Sequence, residues 1–273
     1  MLQDWSALHI LAVKSDSLDL FEYVATKIGD CNPATRTGLT PLHIAADEGN
    51  YEICKFLVEN NTGINPEDEA GWTPLHFAAD RGFIEVYKLI SKNLEDKNPT
   101  NINKIAPIHC AARGGHLELC ILIMETLTEK NPLDICGNTA FHHAVSSGNL
   151  YLCMYLKGFL DDNINPAAYS GHTPLHIAAE EGHFEICKLI IKHSDDKNPV
   201  GILRQTPLHY AAEGRNPNSL EICKLIIDKI EEKNPVDEFG RMPIDVAMNY
   251  NQQEILELLV EKTEEASISQ QAL

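Results

Sequence analysis

A thirteen-residue stretch, Gly171-His172-Thr173-Pro174-Leu175-His176-Ile177-Ala178-Ala179-Glu180-Glu181-Gly182-His183, returns along the chain in near-copy, and that recurrence limits the fold more than any other feature of the sequence. Aligned on its Thr, the copies sit at Ser6, Thr40, Thr73, Ala106, Thr139, Thr173, Thr206 and Met242, spaced by 33 or 34 residues except for a last step of 36. The longer step comes from Gly214-Arg215-Asn216-Pro217-Asn218-Ser219, which replaces a short Gly-His turn. A constant period of this length means one supersecondary unit repeated, each too small to bury its apolar face alone.

Within a unit, Thr40, Thr73, Thr173 and Thr206 take the N-cap position, and the Pro after each sits at N1, where a missing N–H costs nothing. Leu42, Leu75, Leu175 and Leu208 then face the core, and pairs such as Ala45-Ala46 and Ala178-Ala179 let the next unit come close. Gly49, Gly82, Gly115, Gly148 and Gly182 end this short helix. A second helix follows, as in Glu185 to Ile191, with apolar residues at helical spacing. Asn-Pro then stops it, at Asn32-Pro33, Asn65-Pro66, Asn98-Pro99, Asn131-Pro132, Asn165-Pro166, Asn198-Pro199 and Asn234-Pro235. A short hairpin leads to the next Gly (Gly38, Gly71, Gly137, Gly171, Gly240). Lys104 and Arg204 stand where that Gly belongs, so the third and sixth hairpins are expected to be distorted. Ala106 lacks the Thr cap, Thr139-Ala140 lacks the Pro, and the fifth unit, with Tyr151, Met154 and Lys157, has an irregular second helix.

Gly-x-Thr-Pro-Leu-His-x-Ala-Ala-x-x-Gly-His at this period resembles the ankyrin repeat, over about residues 4–262. The Asn-Pro loop departs from the more usual Val-Asn-Ala of that family. The resemblance implies an all-α fold, an α-solenoid of stacked helix–turn–helix repeats with short connecting hairpins. It places residues 1–262 in about eight repeats: 1–31, 32–64, 65–97, 98–130, 131–164, 165–197, 198–233 and 234–262. The ends differ from the interior, as caps do. The first unit has no hairpin before Trp5-Ser6, and the last carries Asp245 in the His slot and a second helix over Glu254 to Glu261. Residues 263–273 are polar without an apolar period and are expected to form a disordered tail. Polar ends favour a monomer. Asn65, with Leu57 eight residues upstream, resembles the loop Asn that an asparaginyl hydroxylase modifies in such repeats, set against the plainer reading of an Asn closing a turn.

Chemistry was sought among the twelve His and eight Cys. His9, His43, His76, His109, His142, His176 and His209 fill one repeat slot, and the resemblance gives that slot a structural role. Residues one repeat apart cannot converge on one metal at bonds of about 2 Å. Cys54, Cys120, Cys153, Cys187 and Cys223 also share a slot, and repeats about 8–10 Å apart hold them too far apart for a disulfide. They read as reduced, buried thiols, which points to a reducing compartment: the cytoplasm, with the nucleus as the alternative. No nucleophile elbow, phosphate loop or His-Glu-x-x-His pair is present, so no enzyme, catalytic residue, cofactor or metal is expected. The net charge of −18 repels polyphosphate and anionic membranes, so nucleic acid is excluded as a partner and a basic protein segment is favoured. No apolar run approaches twenty residues and no basic-then-apolar leader opens the chain, so neither membrane insertion nor a signal peptide is expected.

The resemblance further implies a non-catalytic scaffold that binds a partner protein or peptide on a concave face of hairpin tips and first helices. The alternative is the recognition segment of a larger protein, such as a channel, a ligase adaptor or a host-directed effector. Scaffold slots are fixed by packing, so binding residues belong to the variable slots. The candidates are Trp72, Phe77, Tyr169, Tyr210 and Phe239 as apolar anchors, with Asp80 and Glu180 on an acidic margin.

Overall fold

The computed structural model describes residues 4–14, 17–60, 63–92, 94–160 and 163–271. Helix follows helix throughout, and no strand occurs among the described residues. The chain divides into two units, Met1–Ile135 and Cys136–Leu273. The first holds α1 (Ala7–Ala12), α2 (Leu18–Ile28), α3 (Pro41–Asp47), α4 (Tyr51–Glu59), α5 (Pro74–Arg81), α6 (Ile84–Ser91), α7 (Pro107–Arg113) and α8 (Leu117–Thr126). The second holds α9 (Ala140–Ser146), α10 (Leu150–Leu156), α11 (Pro174–Glu180), α12 (Phe184–His193), α13 (Pro207–Ala212), α14 (Ser219–Ile227), α15 (Pro243–Asn249) and α16 (Gln253–Gln271). Odd-numbered helices stack on one another and each pairs with the even-numbered helix after it, α3 on α5 on α7 in the first unit and α11 on α13 on α15 in the second. This is the all-α repeat solenoid that the 33-residue period implies.

Each first helix starts at the N-cap the sequence assigns to the Thr slot, and the His three residues on adds a bond the sequence does not announce. The backbone N–H of Ser6, Thr40, Thr73, Ala106, Thr139, Thr173 and Thr206 is donated to Nδ1 of the His three residues on, at 3.0–3.1 Å. The Thr hydroxyl lies 2.9–3.0 Å from the same nitrogen and is an auxiliary. Ala106 shows this directly, since it has no hydroxyl and keeps the bond. Nε2 of the same rings faces a backbone carbonyl further along: Leu39, Trp72 and Ile105 in the first unit, Gln205 and Arg241 in the second, at 2.9–3.1 Å. A backbone N–H only donates and a carbonyl only accepts, so the ring is neutral with its proton on Nε2. Burial accordingly holds His43 and His76 down to about 4, and His176, with His172 beside it, to about 3. In the last repeat the Asp245 carboxylate takes over, accepting the Met242 N–H at 2.8 Å.

The Asn of Asn-Pro does more than end the preceding helix. Its Oδ1 reaches forward ten residues to accept the N–H after the N1 Pro: Asn32 to Leu42, Asn65 to Leu75, Asn98 to Ile108, Asn165 to Leu175 and Asn198 to Leu208, at 2.9–3.2 Å. One of the orphan donors of each first helix is satisfied in this way. Asn65 is therefore held as a cap within its own repeat. At the helix–helix turn, Gly82 is obligatory twice over. Its φ is +77°, and a Cβ there would stand 2.5 Å from the His116 ring.

Three of the hairpins rest on an acceptor side chain at their first corner. Asp68 Oδ1 accepts the N–H of Ala70 and Trp72, Asn101 Oδ1 those of Asn103 and Ile105, and Asp237 Oδ1 those of Phe239 and Arg241, all at 2.8–2.9 Å. The third hairpin is not distorted, contrary to expectation. Lys104 takes φ +53° in place of Gly and keeps its N–H on the Asn101 carbonyl at 2.9 Å, as Gly71 does on Asp68. The sixth is distorted. Gly201 stands at the first corner without an acceptor side chain, and Ile202–Arg204 winds into a 3₁₀ turn with Leu203 at φ +52° and Arg204 at φ +57°. In the fifth repeat α10 closes in a 3₁₀ turn over Lys157–Phe159, the irregularity the sequence marks there.

Both cores are built of Leu, Ile and Ala, with a buried Cys in α4, α8, α10, α12 and α14 and Tyr87 in its place in α6. Burial pushes the Cys54, Cys120, Cys153 and Cys223 thiols up to about 12 and Cys187 further, which keeps them protonated and inert. The last helix corrects the expected tail, because α16 runs on from Glu261 to Gln271. No Gly or Pro interrupts Thr263 to Gln271, and the stretch is rich in helix-forming Glu, Ala and Gln. Among the described residues no helix is long and apolar enough to cross a membrane.

Candidate functional site

Two clusters of variable-slot residues lie on first-helix faces, one in each unit. In the first, Trp72 precedes α5 and Phe77 and Asp80 lie on it. The rings of Trp72 and Phe77 stand 6.2 Å apart, and each also makes an edge contact with a buried imidazole, Trp72 with His76 at 5.3 Å and Phe77 with His43 at 5.7 Å. The imidazoles are fixed by their bonds at both nitrogens, so the aromatic pair sits on a rigid floor. Asp80 is joined to Arg113 of α7 at 2.8 Å, and the next residue, Arg81, reaches back to Asp47 of α3 at 2.8 Å. Trp72, His76, Phe77, Asp80 and Arg113 together line a concavity of about 290 Å³. Three of the predicted residues, Trp72, Phe77 and Asp80, are thus brought together. Arg113, which completes the wall, was missed. Its signal was its slot, which is Asp80's own position one repeat on.

In the second unit, Tyr210 of α13 meets His172 edge-on at 5.2 Å and His176 at 5.8 Å, and the two imidazoles stack at 4.8 Å. Glu180, at the end of α11, lies 3.9 Å from His172. Burial and the neighbouring charges of Glu181 and Glu213 raise its pKa. Here the charge pattern inverts. The slot that carries Arg113 in the first unit carries Glu213 in the second, where Arg215 pairs with it at 2.6 Å. The first-unit acids are matched by Arg one repeat on, whereas Glu180 and Glu213 repel each other.

Tyr169 and Phe239 do not join the Tyr210 cluster. Both are exposed at hairpin tips, Tyr169 packed beside Gly137 and Phe239 under the Arg241 guanidinium at 5.1 Å, itself paired to Asp237 at 2.8 Å. The predicted anchors therefore fall into half-buried first-helix residues (Trp72, Phe77, Tyr210) and exposed tip residues (Tyr169, Phe239). Among the described residues no group of His, Cys, Asp and Glu has the arrangement to hold a metal ion.

A family model described as ankyrin repeats (3 copies) matches residues 8–101, 89–165, 108–200 and 195–272.

Proposed function

The chain belongs to the ankyrin-repeat family, and from that premise we propose that it is a non-catalytic scaffold whose first-helix and hairpin-tip faces hold a partner protein or peptide. Ankyrin repeats are generally protein-interaction modules, and the reading for this chain rests on one observation. Two aromatic rings and an ion pair, none needed to close the repeat, form an open concavity at Trp72, Phe77, Asp80 and Arg113. Aromatic and Arg side chains in such a place are typical energetic anchors. The imidazoles of the repeat slot, with both nitrogens engaged, are scaffold rather than catalysts. On this reading the partner brings an apolar side chain to the first unit and a Lys or Arg to the Glu180–Glu213 surface of the second. The protein works as a monomer in the cytoplasm or nucleus.

The test is affinity capture from the native cell type, with wild type run beside Trp72→Ala/Phe77→Ala and beside Tyr210→Ala. Circular dichroism confirms that all three fold. A partner kept by wild type and lost by either variant supports the reading, and so does an association rate that falls as salt rises. A partner held equally by all three moves the interface off these faces.

A further inference from the structure

The outward face of α10 breaks the pattern of its sister helices. In α6, α12 and α14 a Glu and the Lys three residues on form an exposed ion pair: Glu85–Lys88 at 2.9 Å, Glu185–Lys188 at 3.8 Å and Glu221–Lys224 at 2.9 Å. The Glu stands two residues before the slot of the buried Cys (Tyr87 in α6), and the Lys one after it. Around Cys153 these two positions hold Tyr151 and Met154, 74% and 55% exposed. The inner face of α10 is ordinary, with Leu152, Cys153 and Leu156 buried, so packing does not call for the exchange. Tyr155 and Phe159 extend the patch, half-buried and edge-to-face at 5.3 Å. Tyr151, Met154 and Tyr155 share one helix face at i, i+3 and i+4, and Phe159 closes it in the 3₁₀ turn. An exposed apolar stripe that the repeat does not need marks a binding surface.

The charge around this stripe also departs from the rest of the chain. The helices α2, α4, α6, α8, α12 and α14 each carry Asp or Glu in the first turn, whereas α10 has none, in a chain of net charge −18. Lys157 ends the stripe, and α12, packed on α10, ends in Lys192 and His193, with Lys197 just beyond. Desolvation, then the charges of Lys157, Lys192 and Lys197, lower the His193 pKa. Of the acids that follow, Asp196 bonds the Asn198 N–H of its own loop at 3.0 Å, and Asp195 lines a cavity with Asn165 and Gly171.

The geometry points to a partner protein that lays an amphipathic helix along α10, with bulky apolar side chains on Tyr151, Met154 and Tyr155 and carboxylates toward Lys157 and Lys192. Knobs at i, i+3 and i+4 match the ridge of a second helix. A second copy fits poorly, because it brings no acid on its own α10 to meet Lys157, and two chains of −18 repel. Anionic membranes are repelled by the same charge. The Trp72 and Tyr210 clusters belong to first helices and to a basic or apolar partner segment; this second-helix surface takes an acidic one.

The probe is a displayed library of helical peptides. One face varies among Leu, Ile, Met and Phe, and its rim among Glu, Gln and Lys. It is panned on the full chain and counter-selected on Tyr151→Glu/Met154→Lys, which restores the pattern of α6, α12 and α14 and leaves the inner face intact; circular dichroism checks that it folds. The selected peptides are expected to carry Glu on the rim. Their Kd by fluorescence anisotropy should rise about tenfold or more in the double variant, and in Lys157→Glu more at low salt than at high salt. The proposal is overturned if no peptide prefers wild type to the double variant, if the selected rims are rich in Lys, or if Lys157→Glu binds as wild type does. It is also overturned if sedimentation velocity shows the chain pairing with itself, or binding phosphatidylcholine vesicles, in a way that the double variant loses.

Discussion

His43 donates its Nε2–H to the backbone carbonyl of Trp72, 3.1 Å away in the following repeat, while its Nδ1 accepts the N–H of Thr40. One neutral ring thus satisfies two buried backbone groups in two repeats. A second proton on Nδ1 would face an N–H donor, and the ring would have to leave or the helix start would open.

Stability is expected to depend on pH in one direction. The unfolded imidazole titrates near about 6.5, while burial holds His43 and His76 at about 4 in the folded chain. Between these values the unfolded state binds more protons. Stability is therefore full above about pH 6.5 and is lost as pH falls toward about 4, at up to about 1.4 kcal/mol per pH unit for each ring. Urea midpoints measured from neutral to mildly acidic pH should fall steadily. A midpoint that stays flat down to about pH 5 would sink the assignment of the proton to Nε2.

Two equivalent Asn residues should respond differently to truncation. Asn98 caps Ile108, so Asn98→Ala should cost about 1–2 kcal/mol. The buried Oδ1 of Asn234 has no hydrogen-bond partner among the described residues, so Asn234→Ala should lie within about 0.5 kcal/mol of wild type or above it. Denaturant midpoints of the two variants check the contrast, and equal losses would refute it.

At Lys104 the backbone holds φ +53° against the preference of any side chain with a Cβ. Lys104→Gly relieves this and gives back part of the gain through the unfolded state, for a net stabilisation of about 0.5 kcal/mol. Lys104→Val, β-branched in the left-handed region, should cost more than about 1 kcal/mol. The thermal midpoints are expected in the order Gly, Lys, Val; Val at or above Lys would contradict the hairpin geometry.

Thiol labelling should split the cysteines. Cys136 is exposed, whereas Cys54, Cys120, Cys153, Cys187 and Cys223 are buried and held protonated. In the native protein at neutral pH a thiol reagent should label Cys136 first and reach the other five only on unfolding, as peptide mass spectrometry can read. Early labelling of Cys187 would mean that the second unit opens locally.

The helix pairs were legible because their signals are local and repeated. Thr-Pro at Thr73-Pro74, the His three residues after each Thr and the Gly at Gly82 each act within a few residues of themselves. What escaped depends on pairs one repeat apart or on a missing atom. Nothing near Asp80 announces Arg113, thirty-three residues on, as its partner. Lys104 and Arg204 look alike as replacements for Gly, yet Asn101 bonds its hairpin corner with a side-chain acceptor that Gly201 lacks. The last helix was cut short because apolar periodicity fades after Leu259, although nothing there stops a helix.

The forward bonds of Asn32, Asn65, Asn98, Asn165 and Asn198 all span the same ten residues. That span encloses the whole hairpin, so an insertion or deletion inside it breaks the cap of the helix that follows. The turn between two helices of a pair is under no such lock: Gly214 to Ser219 is longer than its counterparts, and α13 and α14 still pack together. Length variation in this chain is therefore confined to one side of the repeat. An inserted epitope or reporter should be accepted between α13 and α14 and rejected between Asn98 and Ile108.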